Sequence, residues 1–314
     1  MYILHSVDAL NPLKGTALTI GNFDGVHLGH QALIRRLLEV SFTDGLTPVV
    51  MTFWPHPRQV LFPERGHCPL TSREDRFALM EAMGVPYVLE LPFTHELASL
   101  EAGTFVRDML IPMCLRYLVV GHDFSLGRNR EGSVSVLKEL GALLGFSVEQ
   151  LFSVMADAMV VSSTTLRRLI AEGDVAKAAL LLGRWHGFSG EVLHGDGRGH
   201  SLGFPTANQH RPAVVLPAEG VYVTQASVDG RSMPAVTSVG RKPTFGENEL
   251  GVETFLLELD GSQNLYGHTM RLEFVERLRN EQRFASTDEL KRQIAADVRA
   301  ARQVLAGRSL SGSV

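Results

Sequence analysis

His27 and His30 stand three residues apart with Gly29 between them. They fall where a short apolar run, 16–20, passes through Gly21 and Gly25 into an amphipathic run, 31–40. A helix start carries about half a positive charge and unsatisfied N–H groups. It is therefore a ready anion site, phosphate above all. Residues three apart share a helix face, so both imidazoles can serve one anion. A plainer use remains open, in which one histidine caps the backbone and the other decorates the surface. Metal ligation by this pair lacks a third His, Cys or carboxylate at suitable spacing nearby. A second helix start lies in "VVSSTTLRRLI", where Ser162, Ser163 and Thr164 precede Arg167 by about one turn. Hydroxyls, free N–H groups and a guanidinium make an anion clamp. Alone, that stretch reads equally well as an N-cap beside a surface arginine.

The second half of the chain offers different chemistry. It contains no GxxxxGK[ST], so a Walker-type phosphate loop is excluded. In its place stand Gly195, Gly197, Gly199 and Gly203. Their backbone N–H groups could cradle phosphate, or they could simply make turns. Thr206 and Asn208 follow, two apart, so an extended strand points both side chains to one face. Two neutral oxygens there suit Mg²⁺ beside phosphates, and equally suit a hydrogen-bonded strand edge. In "VETFLLEL" alternation puts Glu253 on one face with Phe255 and Leu257. That makes Glu253 a candidate general base, or else a charged residue at a strand start.

Strands and helices must hold these residues in place. Strand patterns at 17–20, 48–53, 87–91, 117–121 and 148–152 alternate with helical patterns at 31–40, 73–84, 104–114 and 134–144. Such alternation predicts a Rossmann-like α/β fold with a parallel sheet. Helical patterns continue at 164–171 and 175–182. Beyond them the chain predicts a small antiparallel β-barrel, with a hairpin at Asp229-Gly230 and a C-terminal helix capped by Ser286 or Thr287. The expected domains are 1–184 and 185–307, with a flexible tail at 308–314. At 314 residues and 45% hydrophobic, each half can bury a core. A net charge of −4 without a basic tract argues against a nucleic-acid partner. No signal peptide or bilayer-length apolar run is present, and Cys68 and Cys114 read as free thiols. A cytoplasmic protein without a membrane partner is expected.

"GNFDGVHLGH" with "SSTTLR" resembles nucleotidyltransferases that carry a His-x-Gly-His signature. With "FWPHP", "VVGHDFSLGRNREG", "LGFPTAN", "PAEGVY", "SVGRKPTF" and "VETFLLEL", the chain resembles the bacterial bifunctional riboflavin kinase/FAD synthetase family over about residues 15–306. The resemblance implies two reactions. Riboflavin and ATP give FMN and ADP, and FMN with a second ATP gives FAD and pyrophosphate. It implies His27 and His30 on the ATP phosphates, with Asn22, Ser163, Thr164 and Arg167. It places Asp24, Pro55, His56, Pro57, Gly121, Asp123, Phe124, Gly127 and Arg130 around flavin and nucleotide. In the kinase half it implies the glycine-rich loop over ATP, Thr206 and Asn208 on Mg-ATP, Glu253 as base and Arg279 near the flavin. In the first half Mg²⁺ would bridge phosphates rather than sit in a protein cage.

Some positions depart from the family pattern: Trp54, Ser125, Leu126, His200 and Phe255. His200 would weaken one phosphate contact, and Phe255 would alter packing around Glu253. None replaces a residue assigned to chemistry. Two rivals are an adenylyltransferase with a weakened kinase module and a regulator that binds without turnover. A regulator would be expected to have lost some of His27, His30, Arg167, Thr206, Asn208 and Glu253.

Overall fold

A computed structural model describes residues 1–10, 15–194, 204–209, 213–241, 250–259 and 264–307. By packing, the chain forms two compact units. Among the described residues, one comprises 1–68 and 73–161, and the other comprises 69–72 and 162–307.

The first unit contains strands β1 (Tyr2–Leu4), β2 (Thr16–Ile20), β3 (Thr47–Trp54), β4 (Tyr87–Pro92), β5 (Leu115–Val120), the short hairpin β6 (Ser125–Leu126) and β7 (Gly132–Ser133), β8 (Ser147–Gln150), and the short pair β9 (Met155–Ala156) and β10 (Met159–Val160). Its helices are α1 (Leu28–Asp44), α2 (Pro57–Leu61), α3 (Arg73–Ala82), α4 (His95–Ser99), α5 (Ala102–Phe105) and α6 (Val134–Leu144). The main sheet is parallel, in the order β1-β4-β3-β2-β5-β8. Every residue of β2 is buried, and its alternate residues feed two separate cores. Leu18 and Ile20 join one, while Ala17 joins the other with Ile34, Leu37 and Phe77. Apolar cover on both faces is what a parallel sheet requires. The chain leaves β2 toward β3 on one side and returns through β5 on the other. Their carboxyl ends therefore flank a topological switch point, the usual ligand crevice of such sheets.

Three details differ from expectation. The edge strand β1 is three residues long, too short for a periodic signal. The helix expected at 104–114 is broken: α5 ends at Phe105, a wider turn runs through Val106–Leu110, and a tight turn ends at Met113. Pro112 has no N–H and clashes with the preceding turn, which stops a regular helix there. The last strand of the main sheet stops at Gln150, and Phe152 is 94% exposed.

The second unit holds α7 (Ser163–Glu172), α8 (Val175–Leu182), β11 (His186–Leu193), β12 (Thr206–Gln209), β13 (Gly220–Val228), β14 (Arg231–Arg241), β15 (Leu250–Leu256), β16 (Thr269–Arg279) and α9 (Thr287–Ala306). The strands close into an antiparallel barrel, β11-β12-β15-β14-β13-β16. Asp229 and Gly230 both take positive φ between β13 and β14, as a two-residue hairpin demands. Ser286 caps α9 by accepting the Glu289 N–H. Val175 of α8 packs in the barrel core, and Arg277 of β16 donates to the Glu172 carbonyl at 3.3 Å. The expected tail lies outside the described residues.

One buried group ties this unit to pH. His186 is 2% exposed and its Nε2 lies 2.8 Å from the Val215 carbonyl, so it donates as a neutral ring. Burial pushes its pKa down to about 4. The unfolded chain takes up this proton near pH 6.5, while the fold resists it. The stability is complete above the unfolded value and is lost as pH falls toward about 4. The whole loss is ~3 kcal/mol. Denaturant midpoints should fall across that window, and His186→Asn should flatten the slope.

Candidate active sites

In the first unit the loop leaving β2 is tightly wound. The Gly21 N–H donates to the Met51 carbonyl at 3.1 Å, and the Val26 N–H donates to the Phe23 carbonyl at 3.1 Å. Phe23 and Val26 both have positive φ, 49° and 39°. For a β-branched residue that is an outlier costing about 1–3 kcal/mol. Burial of both side chains in the core holds it there.

His27 is the N-cap of α1, and its Nδ1 accepts the His30 N–H at 3.3 Å. With Nδ1 accepting, the neutral ring carries its proton on Nε2. The His27 and His30 rings stack at 3.6 Å, and His30 also packs on Phe23. A side chain at Gly29 would come within 3.2 Å of the His27 ring, so this glycine makes room for that ring. The cap thus engages Nδ1 and fixes the tautomer of this imidazole.

A buried ion cluster supports the loop. Arg76 of α3 is 5% exposed. Its Nη1 donates to the Asn22 carbonyl at 3.0 Å, and its Nη2 to Glu90 at 3.0 Å. Glu90 of β4 is 3% exposed and is also held by Arg73. Burial pushes the Arg76 guanidinium down, and Glu90 and then Asp24 oppose that. Sequence reading passed over Arg76 because an arginine in an amphipathic helix reads as surface. The available signal was Glu90, a lone acid in the apolar strand "YVLELP", since buried acids need a cation. Arg76→Met should cost about 3 kcal/mol, as for a broken buried pair. It should also slow any reaction at this loop at least tenfold; denaturant titration and turnover check the two separately.

His56 caps α2, its Nδ1 accepting the Arg58 N–H at 3.1 Å, and Gln59 completes the box by accepting the His56 N–H. Pro55 and Pro57 flank it. Its ring stacks on His67 at 3.9 Å. A ligand atom each from Asp24, His56 and His67 falls within a 4.8 Å cluster. Gly121 directly follows β5, and a side chain there would approach Asp123 and Leu33 of α1. Arg130 folds the following loop, donating to Ser125 at 2.7 Å and to the Asp123 carbonyl at 2.9 Å. Phe124 packs against the core, and a side chain at Gly127 would collide with the Ala102 backbone. These last three residues have visible folding tasks.

In the second unit Ser162 caps α7 by accepting the Thr165 N–H at 3.1 Å. Ser163 and Thr164 open that helix, and Arg167 donates to the Ser163 carbonyl at 3.2 Å. The barrel gathers the other set. Asn208 of β12 pairs with Glu253 of β15, and Thr206 pairs with Phe255. The Thr206 hydroxyl donates to Glu253 Oε1 at 2.5 Å. Asn208 is buried, while Thr206 and Glu253 are half-buried. On the opposite face Thr254 joins a buried hydroxyl chain with Thr237 and Thr224. Phe255 packs edge-on against Phe204, so the departure at this position is a packing contact beside Glu253. Arg279 is clasped by Asp297 of α9, with Nη2 to Oδ2 at 2.8 Å, and so ties barrel to helix. Gly195, Gly197, Gly199, Gly203 and His200 lie outside the described residues.

The profile of the FAD synthetase family matches residues 10–165, and that of riboflavin kinase matches 182–305. The chain is 37% identical over 294 residues to a bifunctional riboflavin kinase/FMN adenylyltransferase of Escherichia coli K12, covering 93% of each. The chain belongs to the bifunctional riboflavin kinase/FMN adenylyltransferase family. A member of that family from Pseudomonas fluorescens is 39% identical, with 98% of each chain covered. A solved structure described as a macrolide-efflux protein from Streptococcus pneumoniae matches with a TM-score of 0.86 and 30% identity, covering 96% of this chain and 98% of that one. Among the described residues no helix is long and apolar enough to cross a membrane.

Proposed function

We infer that the chain makes FAD from riboflavin in two ATP-dependent steps. The observation that carries the reading is the Thr206–Asn208–Glu253 constellation in the barrel, in one chain with the capped His27/His30 helix start. In the first reaction the ribityl hydroxyl oxygen bonds to the γ-phosphorus of ATP and the bond to ADP breaks. Glu253 takes the hydroxyl proton and holds the nucleophile in line. Thr206, whose hydroxyl donates a hydrogen bond to Glu253, and Asn208 present oxygen donors that fit Mg²⁺. When bound, that ion neutralises charge on the ATP phosphates.

In the second reaction an FMN phosphate oxygen bonds to the α-phosphorus of ATP, and pyrophosphate leaves. This needs positioning and charge stabilisation rather than a covalent intermediate. The Nε2–H of His27, with His30, donates to phosphate oxygens as charge develops. Ser163, Thr164 and Arg167 hold the β- and γ-phosphates, while Asn22 and Asp24 line the phosphate and flavin side with His56. On this reading 1–184 serve the adenylyl transfer and 185–307 the kinase, although α7 and α8 pack with the barrel. Partners are riboflavin, FMN, FAD, ATP, ADP and pyrophosphate, in the cytoplasm. Chromatography of flavins after supplying riboflavin or FMN with ATP and Mg²⁺ tests each step separately.

A further inference from the structure

We propose that Asp24, His56 and His67 bind a borderline divalent cation of the zinc class. Among the described residues they are the one group of three His, Cys, Asp or Glu whose ligand atoms all fall within 4.8 Å of one another. Asp24 is 4% exposed, so the carboxylate of this group is a buried one. Two imidazoles and one carboxylate are the donor set of three-ligand zinc sites, with water as the fourth ligand. Mg²⁺ and Ca²⁺ prefer oxygen donors, so this set discriminates against the ion expected beside nucleotide phosphates.

Each donor comes from a shaped turn. Asp24 lies between the positive-φ residues Phe23 and Val26. His56 sits between two prolines at the start of α2. His67 follows the positive-φ Gly66, and its carbonyl accepts from Gln59 of α2 at 3.4 Å.

Binding requires two local adjustments. The His56 and His67 rings lie nearly face to face, 22° between planes, whereas a metal sits about 2.0 Å from each nitrogen in the ring plane. The rings must therefore splay. A neutral imidazole has one ring lone pair, and that of His56 accepts the Arg58 N–H. Coordination by His56 releases that cap, so loading should speed amide exchange at Arg58. Resting on the proposed role of Asp24 and His56 in adenylyl transfer, a bound cation withdraws both. It should therefore inhibit FAD formation and spare FMN formation.

The test uses the full chain without nucleotide. Zn²⁺ titrated by calorimetry should give one saturable site, and Co²⁺ should give the visible absorption of a four-coordinate ion. His67→Asn should weaken Zn²⁺ binding at least about tenfold, as expected for loss of one ligand of the site. His56→Gln should do the same, which guards against one variant misfolding. Absence of a saturable site in the parent chain, or equal affinity in folded His67→Asn and His56→Gln, overturns the proposal. Zn²⁺ should then inhibit FAD formation from FMN in the parent but not in His67→Asn. Tight binding at these residues without inhibition leaves the metal site standing and contradicts the roles given to Asp24 and His56.

Discussion

Glu253→Gln should lower FMN formation from riboflavin by about 10²–10⁴-fold, the usual worth of a positioned general base. FAD formation from supplied FMN should keep its rate. The amide retains an oxygen to accept the Thr206 hydroxyl, so the β12–β15 pairing at Asn208 and Thr206 persists. What is lost is the capacity to take a proton from the ribityl hydroxyl. The effect should fall on kcat with little change in KM for ATP, because the phosphate-binding groups are untouched. Stopped assays with each flavin supplied in turn read the two activities. Loss of both, in a variant with an unchanged melting temperature, would contradict the division of labour between 1–184 and 185–307.

His27→Asn should lower FAD formation by roughly 10²–10³-fold, comparable to removing one donor from a charge-stabilising site. Asparagine is also a good N-cap, so α1 keeps its start and the melting temperature should barely move. His27→Ala should show the same loss of rate and a further ~1 kcal/mol of destabilisation from the missing cap. FMN formation should be unaffected in both. The comparison separates the cap that Nδ1 makes with the His30 N–H from the donation proposed for Nε2. Should His27→Asn and His30→Gln both retain full FAD formation, the pair would be structural only.

Much of the frame was readable from periodicity. β2, β3 and β4 are largely apolar runs, and Asp229-Gly230 announces its hairpin through the positive φ that such turns need. Thr206, Asn208 and Glu253 were legible because a two-residue period fixes faces, and cross-strand register then joins them. What escaped depends on contacts between distant segments. Arg76 is buried only because Glu90, fourteen residues on, returns beside it on a strand. His67 meets His56 through a turn that no local period marks. Arg279 was placed near the flavin by resemblance, and its ion pair with Asp297, eighteen residues later on a helix, had no local signal. The broken segment at 102–113 was hidden for a local reason, since Pro112 interrupts an otherwise helical pattern.

The most direct test of the account supplies the purified protein with riboflavin, ATP and Mg²⁺ and follows the flavins by chromatography over time. The predicted course is FMN first, then FAD with one pyrophosphate released for each FAD formed. Supplied FMN should give FAD without a lag. Riboflavin that never becomes FMN would contradict the role given to Glu253 and the barrel, and FMN that never becomes FAD would contradict the role given to His27 and His30.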